Sequence, residues 1–166
     1  MSQHQVLPVS ALEPQALQAV LNRYQLQLEI VANGEAIPGS FWGDSEAGLI
    51  ANRLIVRPDT PAHSLLHEAC HYICMSADRR AGLHTNAGGD YDEENAVCYL
   101  QILLAADLPP LNPARLMADM DAWGYSFRLG SARAWFEQDA QDAREWLARH
   151  GLIGTDDRPT GKLRND

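Results

Sequence analysis

The stretch HSLLHEACHYICM, residues 63–75, decides how the rest of the chain is read. Three histidines, one glutamate and two cysteines fall within its thirteen positions. His67, Glu68 and His71 form H-E-x-x-H. A helix turns ~100° per residue, so positions i and i+4 share a face, one turn apart. Two imidazoles so spaced can bind one Zn²⁺, and Glu68 beside them can take a proton from a zinc-bound water. The preceding RPDTPA favours a helix start, with Asp59 or Thr60 as cap and Pro61 in the first turn.

A catalytic zinc usually takes a third protein ligand and leaves one position open. DEEN, residues 92–95, supplies the carboxylates. Glu93 and Glu94 open a second expected helix over 92–108, where acidic residues suit the helix dipole. The polar, Gly-rich segment 78–91 reads as the loop between the two helices. A helical hairpin would return the first turn of the second helix to the histidine pair. Leu65, Leu66 and Ile73 on one helix, and Val97, Leu100, Ile102, Leu103 and Leu104 on the other, are apolar surfaces to bury.

Upstream, residues 13–25 have helical spacing at Leu17, Val20 and Leu21, and 26–32 reads as a strand. SFWGD reads as a short strand, and LIANRLIV, 49–56, as the next one in a small antiparallel sheet or meander. Downstream, Pro109 and Pro110 stop the second ligand helix. Asn112 caps a third helix to residue 123, and 131–151 reads as one long amphipathic helix. The expected class is α+β, a small antiparallel sheet followed by an active-site helix and a helical C-terminal half.

The 166 residues amount to a single domain, and 46% hydrophobic content is enough for a core. A net charge of −9 with scattered basic residues argues against a nucleic-acid face. No apolar run nears the ~20 residues needed to cross a bilayer. MSQHQVLPVS has neither a basic n-region nor an apolar h-region, so a cytoplasmic protein without a membrane partner is expected. Cys70, Cys74 and Cys98 are an odd set inside expected helices and read as reduced core residues.

The two helical motifs together resemble the gluzincin group of zinc metallopeptidases, and more narrowly the ImmA/IrrE-type family. Its members show a short sheet, a helix with H-E-x-x-H, then E-x-x-A-N-x-F-A followed by leucines and a proline. This chain has HEACH at 67–71 and EENAVCYLQILLAADLP from 93. Matching Ala96 to the family alanine implies Glu93 as third ligand, with Tyr99 at the aromatic position and Pro109 near the closing proline. Val97 replaces the usual Asn or Asp, and Ala69-Cys70 replaces the frequent Leu-Gly, so Glu94 stays open beside Glu93. The resemblance covers roughly residues 25–110. It implies a zincin-like metallopeptidase domain, taken over 1–152, and the polar ending TDDRPTGKLRND reads separately as a flexible tail over 153–166. His67, His71 and Glu93 would hold Zn²⁺ and Glu68 would be the general base.

Such a peptidase needs a donor for the tetrahedral oxyanion. His84 and Tyr91 in the loop are the first candidates, with Tyr125 and Arg128 behind them. Trp123, Trp135, Phe136 and Trp146 read as core. LIANRLIV offers an edge to which an extended peptide could add. The expected partner is a peptide or protein substrate, such as a single regulatory protein. The rival reading is a metal-binding regulatory or interaction protein without turnover, marked by a fourth protein ligand such as His63 or Cys74. A zinc hydrolase of non-peptide amides would use the same water activation.

Overall fold

The computed structural model describes residues 5–40, 45–83 and 88–165. Helix α1, Pro14–Arg23, leads into strand β1, Gln27–Ile30. Strands β2, Gly48–Ile50, and β3, Arg53–Val56, follow. Helix α2, Ala62–Cys74, carries H-E-x-x-H, and the short α3, Ala77–Ala81, comes after it. The helical half consists of α4, Tyr91–Leu104; α5, Pro113–Trp123; α6, Ala132–Gln138; and α7, Gln141–Arg149. The architecture is α+β.

The sheet is mixed, not antiparallel, in the order β1-β3-β2. β3 runs parallel to β1, with Gln27 opposite Arg53 and Ile30 opposite Val56, and antiparallel to β2. The expected single strand 49–56 is a tight hairpin. Ala51 takes a left-handed backbone, φ 53, and turns the chain without a glycine to announce it. Asn52 then fastens the turn to the start of β1: its side chain donates to the Gln25 carbonyl, and its own carbonyl accepts from Gln27 N–H. That tie sets β3 alongside β1 in the parallel sense.

β3 is therefore the central strand and has no free edge. The outer edge of β2 is also engaged, because Leu49 N–H donates to the Gly39 carbonyl and Ser40 bridges to Gly48. A side chain at Gly48 would collide with the Pro38 carbonyl, so this close approach needs glycine. Most of SFWGD, residues 41–44, lies outside the described residues.

α2 is buried along almost its whole length, between the sheet and α4. Leu49, Leu54 and Val56 meet it from the sheet, and Val97, Leu100, Ile102 and Leu104 are buried on α4. This enclosure explains why α2 is apolar nearly all round, apart from the face that carries the histidines. α7 packs on α4 through Ala143, Trp146 and Leu147.

Two expectations fail in the C-terminal half. The long helix 131–151 is broken at Asp139–Ala140, where Asp139 leaves the helix at φ −141 and pairs with Arg128 at 2.9 Å. The segment after 152 is not a loose tail. Arg164 N–H donates to the Ile73 carbonyl (3.0 Å) and Arg164 Nη1 to the Cys74 carbonyl (3.2 Å). The Arg80 guanidinium takes the Tyr72 and Met75 carbonyls. These are the last carbonyls of α2, which a helix cannot satisfy internally and which would be costly to bury unpaired.

Candidate metal centre

The first turn of α4 selects between the two glutamates. Asp90 caps the helix, its side chain accepting from Glu93 N–H at 2.9 Å. Adjacent helical residues point ~100° apart, so only one of the pair can face α2. That residue is Glu94. Its Oε1 lies 3.0 Å from His67 Nε2 and its Oε2 3.2 Å from His71 Nε2. The two Nε2 atoms are 3.2 Å apart. Three ligand atoms on one face of a tetrahedron around an ion at about 2.0 Å stand about 3.3 Å apart. The two imidazole nitrogens, and each nitrogen with its own Glu94 oxygen, are spaced close to that edge, so a carboxylate shared between the histidines stands where a third ligand would.

Glu93, the third ligand expected from the motif resemblance, turns away from the histidines. Its buried carboxylate takes both Arg79 Nη atoms, at 2.7 and 2.8 Å, and Arg164 Nη1 at 3.2 Å. It ties α4 to α3 and to the C-terminal segment. The structure does not bring it to the histidine pair. With Glu94 facing the pair, Cys98 occupies the position one turn further along the same helix face.

The protonation of His67 is fixed by a residue the sequence reading did not single out. Gln101 is fully buried on α4. Its Nε2 donates to the His63 carbonyl at 2.7 Å, so its Oε1 must be the group facing His67 Nδ1 at 3.0 Å. An amide oxygen can only accept, so Nδ1 carries the proton and Nε2 is left to bind a cation. Metal-bound histidines are typically braced in this way. The only sequence signal was a glutamine inside an otherwise apolar helix face. His71 lacks such a brace, its Nδ1 being buried without a partner among the described residues.

Two nitrogens and a carboxylate in such close array call for positive charge, as protons or as a metal ion. Burial opposes ionisation of Glu94, but hydrogen bonds from His67 and His71 hold its carboxyl well below the usual carboxylate range. Burial alone would depress His67, yet Tyr125, Cys98 and Glu94 outweigh it and raise its pKa well above the ordinary imidazole value. A metal entering this site displaces that proton.

His67 and Glu94 open to a cleft of about 360 Å³ lined also by Glu46, Ser64, Glu68, Trp123, Gly124 and Tyr125. Glu68 reaches this cleft from α2, next to His67. Burial raises its pKa, and the Glu94 and Glu46 carboxylates add to the effect against the pull of His71 and His67. Tyr125 arrives through the end of α5, where Gly124 turns the chain at φ 112. Its hydroxyl is 3.1 Å from His63 Nδ1, and its ring packs edge-on to His67.

Of the oxyanion candidates, Tyr125 alone lines this cleft among the described residues. Tyr91 and Arg128 line a separate small cavity with Asn95 and Asp142. His84 lies outside the described residues. Trp123 is not core: it is 42% exposed and sits on the cleft wall. His63 is buried against Trp123 and Tyr125. Cys70, Cys74 and Cys98 are free and buried, and burial pushes the Cys70 and Cys74 thiols up. Cys98 nevertheless offers its sulfur within 4.8 Å of ligand atoms of His67 and Glu94.

No family profile, curated protein or solved structure matches the chain. The functional reading therefore rests on these residues alone.

Proposed function

We propose that the protein is a zinc-dependent hydrolase acting on peptide bonds. His67, His71 and Glu94 hold the metal, Glu68 is the general base and Tyr125 the oxyanion donor. The observation that carries this reading is the array of two imidazole nitrogens and one carboxylate, at 3.0–3.2 Å, whose His67 and Glu94 line the same cleft as Glu68. Bound there, Zn²⁺ supplies Lewis-acid polarisation and makes a water acidic enough to attack near neutral pH.

The chain's own residues do the rest. Gln101 holds a proton on His67 Nδ1, so Nε2 is the nitrogen that gives up its proton to a metal. Glu68, with its raised pKa, accepts the proton of the attacking water and delivers it to the leaving amine. The Tyr125 hydroxyl stays protonated at working pH, because burial pushes its pKa up to about 12. It can therefore donate to negative charge developing on the scissile carbonyl. His63 Nδ1 shares a hydrogen bond of 3.1 Å with that hydroxyl and holds the ring in place. An open cleft suits an extended chain better than an enclosed small-molecule pocket would.

The test is cleavage of a mixed peptide library by zinc-loaded protein, read by mass spectrometry. Glu68→Gln should lower the rate by at least ~10² while zinc stays bound. Tyr125→Phe should lower kcat by roughly 10²-fold. Zinc-independent cleavage, or equal rates for Glu68→Gln and the native protein, would refute the assignment.

One observation favours a second reading. If Cys98 joins His67 and Glu94 on the metal, the site is closed by a fourth protein ligand and serves structure or regulation. Cobalt substitution separates the two, since a thiolate ligand gives a sulfur-to-cobalt charge-transfer band and an oxygen and nitrogen set gives none.

A further inference from the structure

The cleft carries one negative charge that the proposed chemistry does not use. Among the described residues Glu46, Glu68 and Glu94 line it, and no lysine or arginine does. With Zn²⁺ bound, the charges of Glu94 and Glu68 balance the metal. Glu46 is left over. It is not a casual surface acid. Its Oε1 accepts from Trp123 Nε1 at 2.8 Å, a bond that joins the segment before β2 to the end of α5. The next residue is also held, since Ala47 N–H donates to the buried Ser64 hydroxyl on α2 at 2.9 Å. The carboxylate thus has a fixed place on the cleft wall. Beside it stands an exposed indole, and aromatic faces attract guanidinium and ammonium groups.

Resting on the hydrolase reading above, we propose that Glu46 is a specificity-determining residue and selects peptides with an arginine or lysine side chain next to the scissile bond. The carboxylate takes the cationic head by a charge-assisted hydrogen bond, and Trp123 both orients that carboxylate and covers the side-chain stem. A peptide with an acidic side chain in the same place meets an uncompensated like charge and is rejected.

The test titrates zinc-loaded protein with N-acetyl-arginine hydroxamate, N-acetyl-leucine hydroxamate and N-acetyl-glutamate hydroxamate, read by calorimetry. All three carry the same metal-binding head and differ only in the side chain. The arginine probe should bind about tenfold tighter than the leucine probe, a preference that shrinks as salt is raised, and the glutamate probe should bind weakest. In Glu46→Gln the arginine preference should fall to about onefold, and Glu46→Asp should restore part of it. Equal binding of the arginine and leucine probes by the native protein, or an unchanged preference in Glu46→Gln, overturns the specificity assignment alone. Failure of all three hydroxamates to bind zinc-loaded protein overturns the hydrolase reading and the specificity with it.

Discussion

Gln101→Met is the sharpest perturbation of the site, because it replaces neither a proposed metal ligand nor a residue that lines the cleft. Methionine has nearly the same length and fills the same buried space, but it neither accepts from His67 Nδ1 nor donates to the His63 carbonyl. Two costs follow. With the brace gone, His67 can place its proton on either nitrogen and turn its ring, so some of the population no longer presents a bare Nε2. Loss of such a brace weakens metal binding by about 10–100-fold, or about 1.4–2.7 kcal/mol. Separately, the buried His67 Nδ1–H loses its acceptor, while the His63 carbonyl keeps only its intrahelical bond, which together cost roughly 1–3 kcal/mol of fold stability whether or not metal is present. Chelator competition at fixed pH measures the first cost, and urea unfolding of metal-free protein measures the second. A variant that unfolds cooperatively yet binds zinc within about twofold of native would refute the tautomer argument.

Other predictions separate the neighbouring residues. Glu94→Gln should weaken zinc binding by at least ~10²-fold, whereas Glu93→Gln should keep one zinc per chain, both read by chelator competition. Glu93→Gln should instead lose about 1–3 kcal/mol in urea unfolding, a buried-pair cost reduced because Arg79 is partly exposed. Gly89→Ala places a methyl 2.5 Å from Glu93 Oε2 at a backbone φ of +104, and should cost about 1–3 kcal/mol in thermal unfolding. His63, pushed down to about 4 by burial with smaller opposing and reinforcing effects from Asp119 and His67, predicts a pH signature. Its folded pKa lies below the unfolded value, so the unfolded chain binds more protons. Stability is therefore full above about 6.5 and falls by up to about 3 kcal/mol as pH drops to about 4. In metal-free protein, His63→Gln should flatten that part of the stability–pH curve.

The two helices of the site were legible because their signals are local. Helical periodicity, the acidic first turn at 92–94 and the i, i+4 histidines all act within a few residues, whereas the expected Asp59 or Thr60 cap is not used and Asp90 caps α4 instead. The choice between Glu93 and Glu94 was not legible, since it turns on which neighbour finds a cation. Arg79 and Arg164 claim Glu93 from 14 and 71 residues away. The order of the tail had the same hidden cause: orphan carbonyls at the end of α2, visible only once that end is buried. The hairpin at Ala51 escaped notice because a left-handed alanine violates the usual turn chemistry, and Asn52 offsets the strain through long-range bonds to residues 25 and 27. Trp123 was misread as core because helical spacing cannot tell an inner face from a cleft wall.

Zinc K-edge absorption spectroscopy on the protein, with elemental analysis of the same sample, tests the central claim most directly. The account predicts about one zinc per chain, two imidazoles in the first shell, and only nitrogen and oxygen at about 2.0–2.2 Å. A chain that takes up no zinc, or a shell containing sulfur at about 2.3 Å from Cys98, would contradict it.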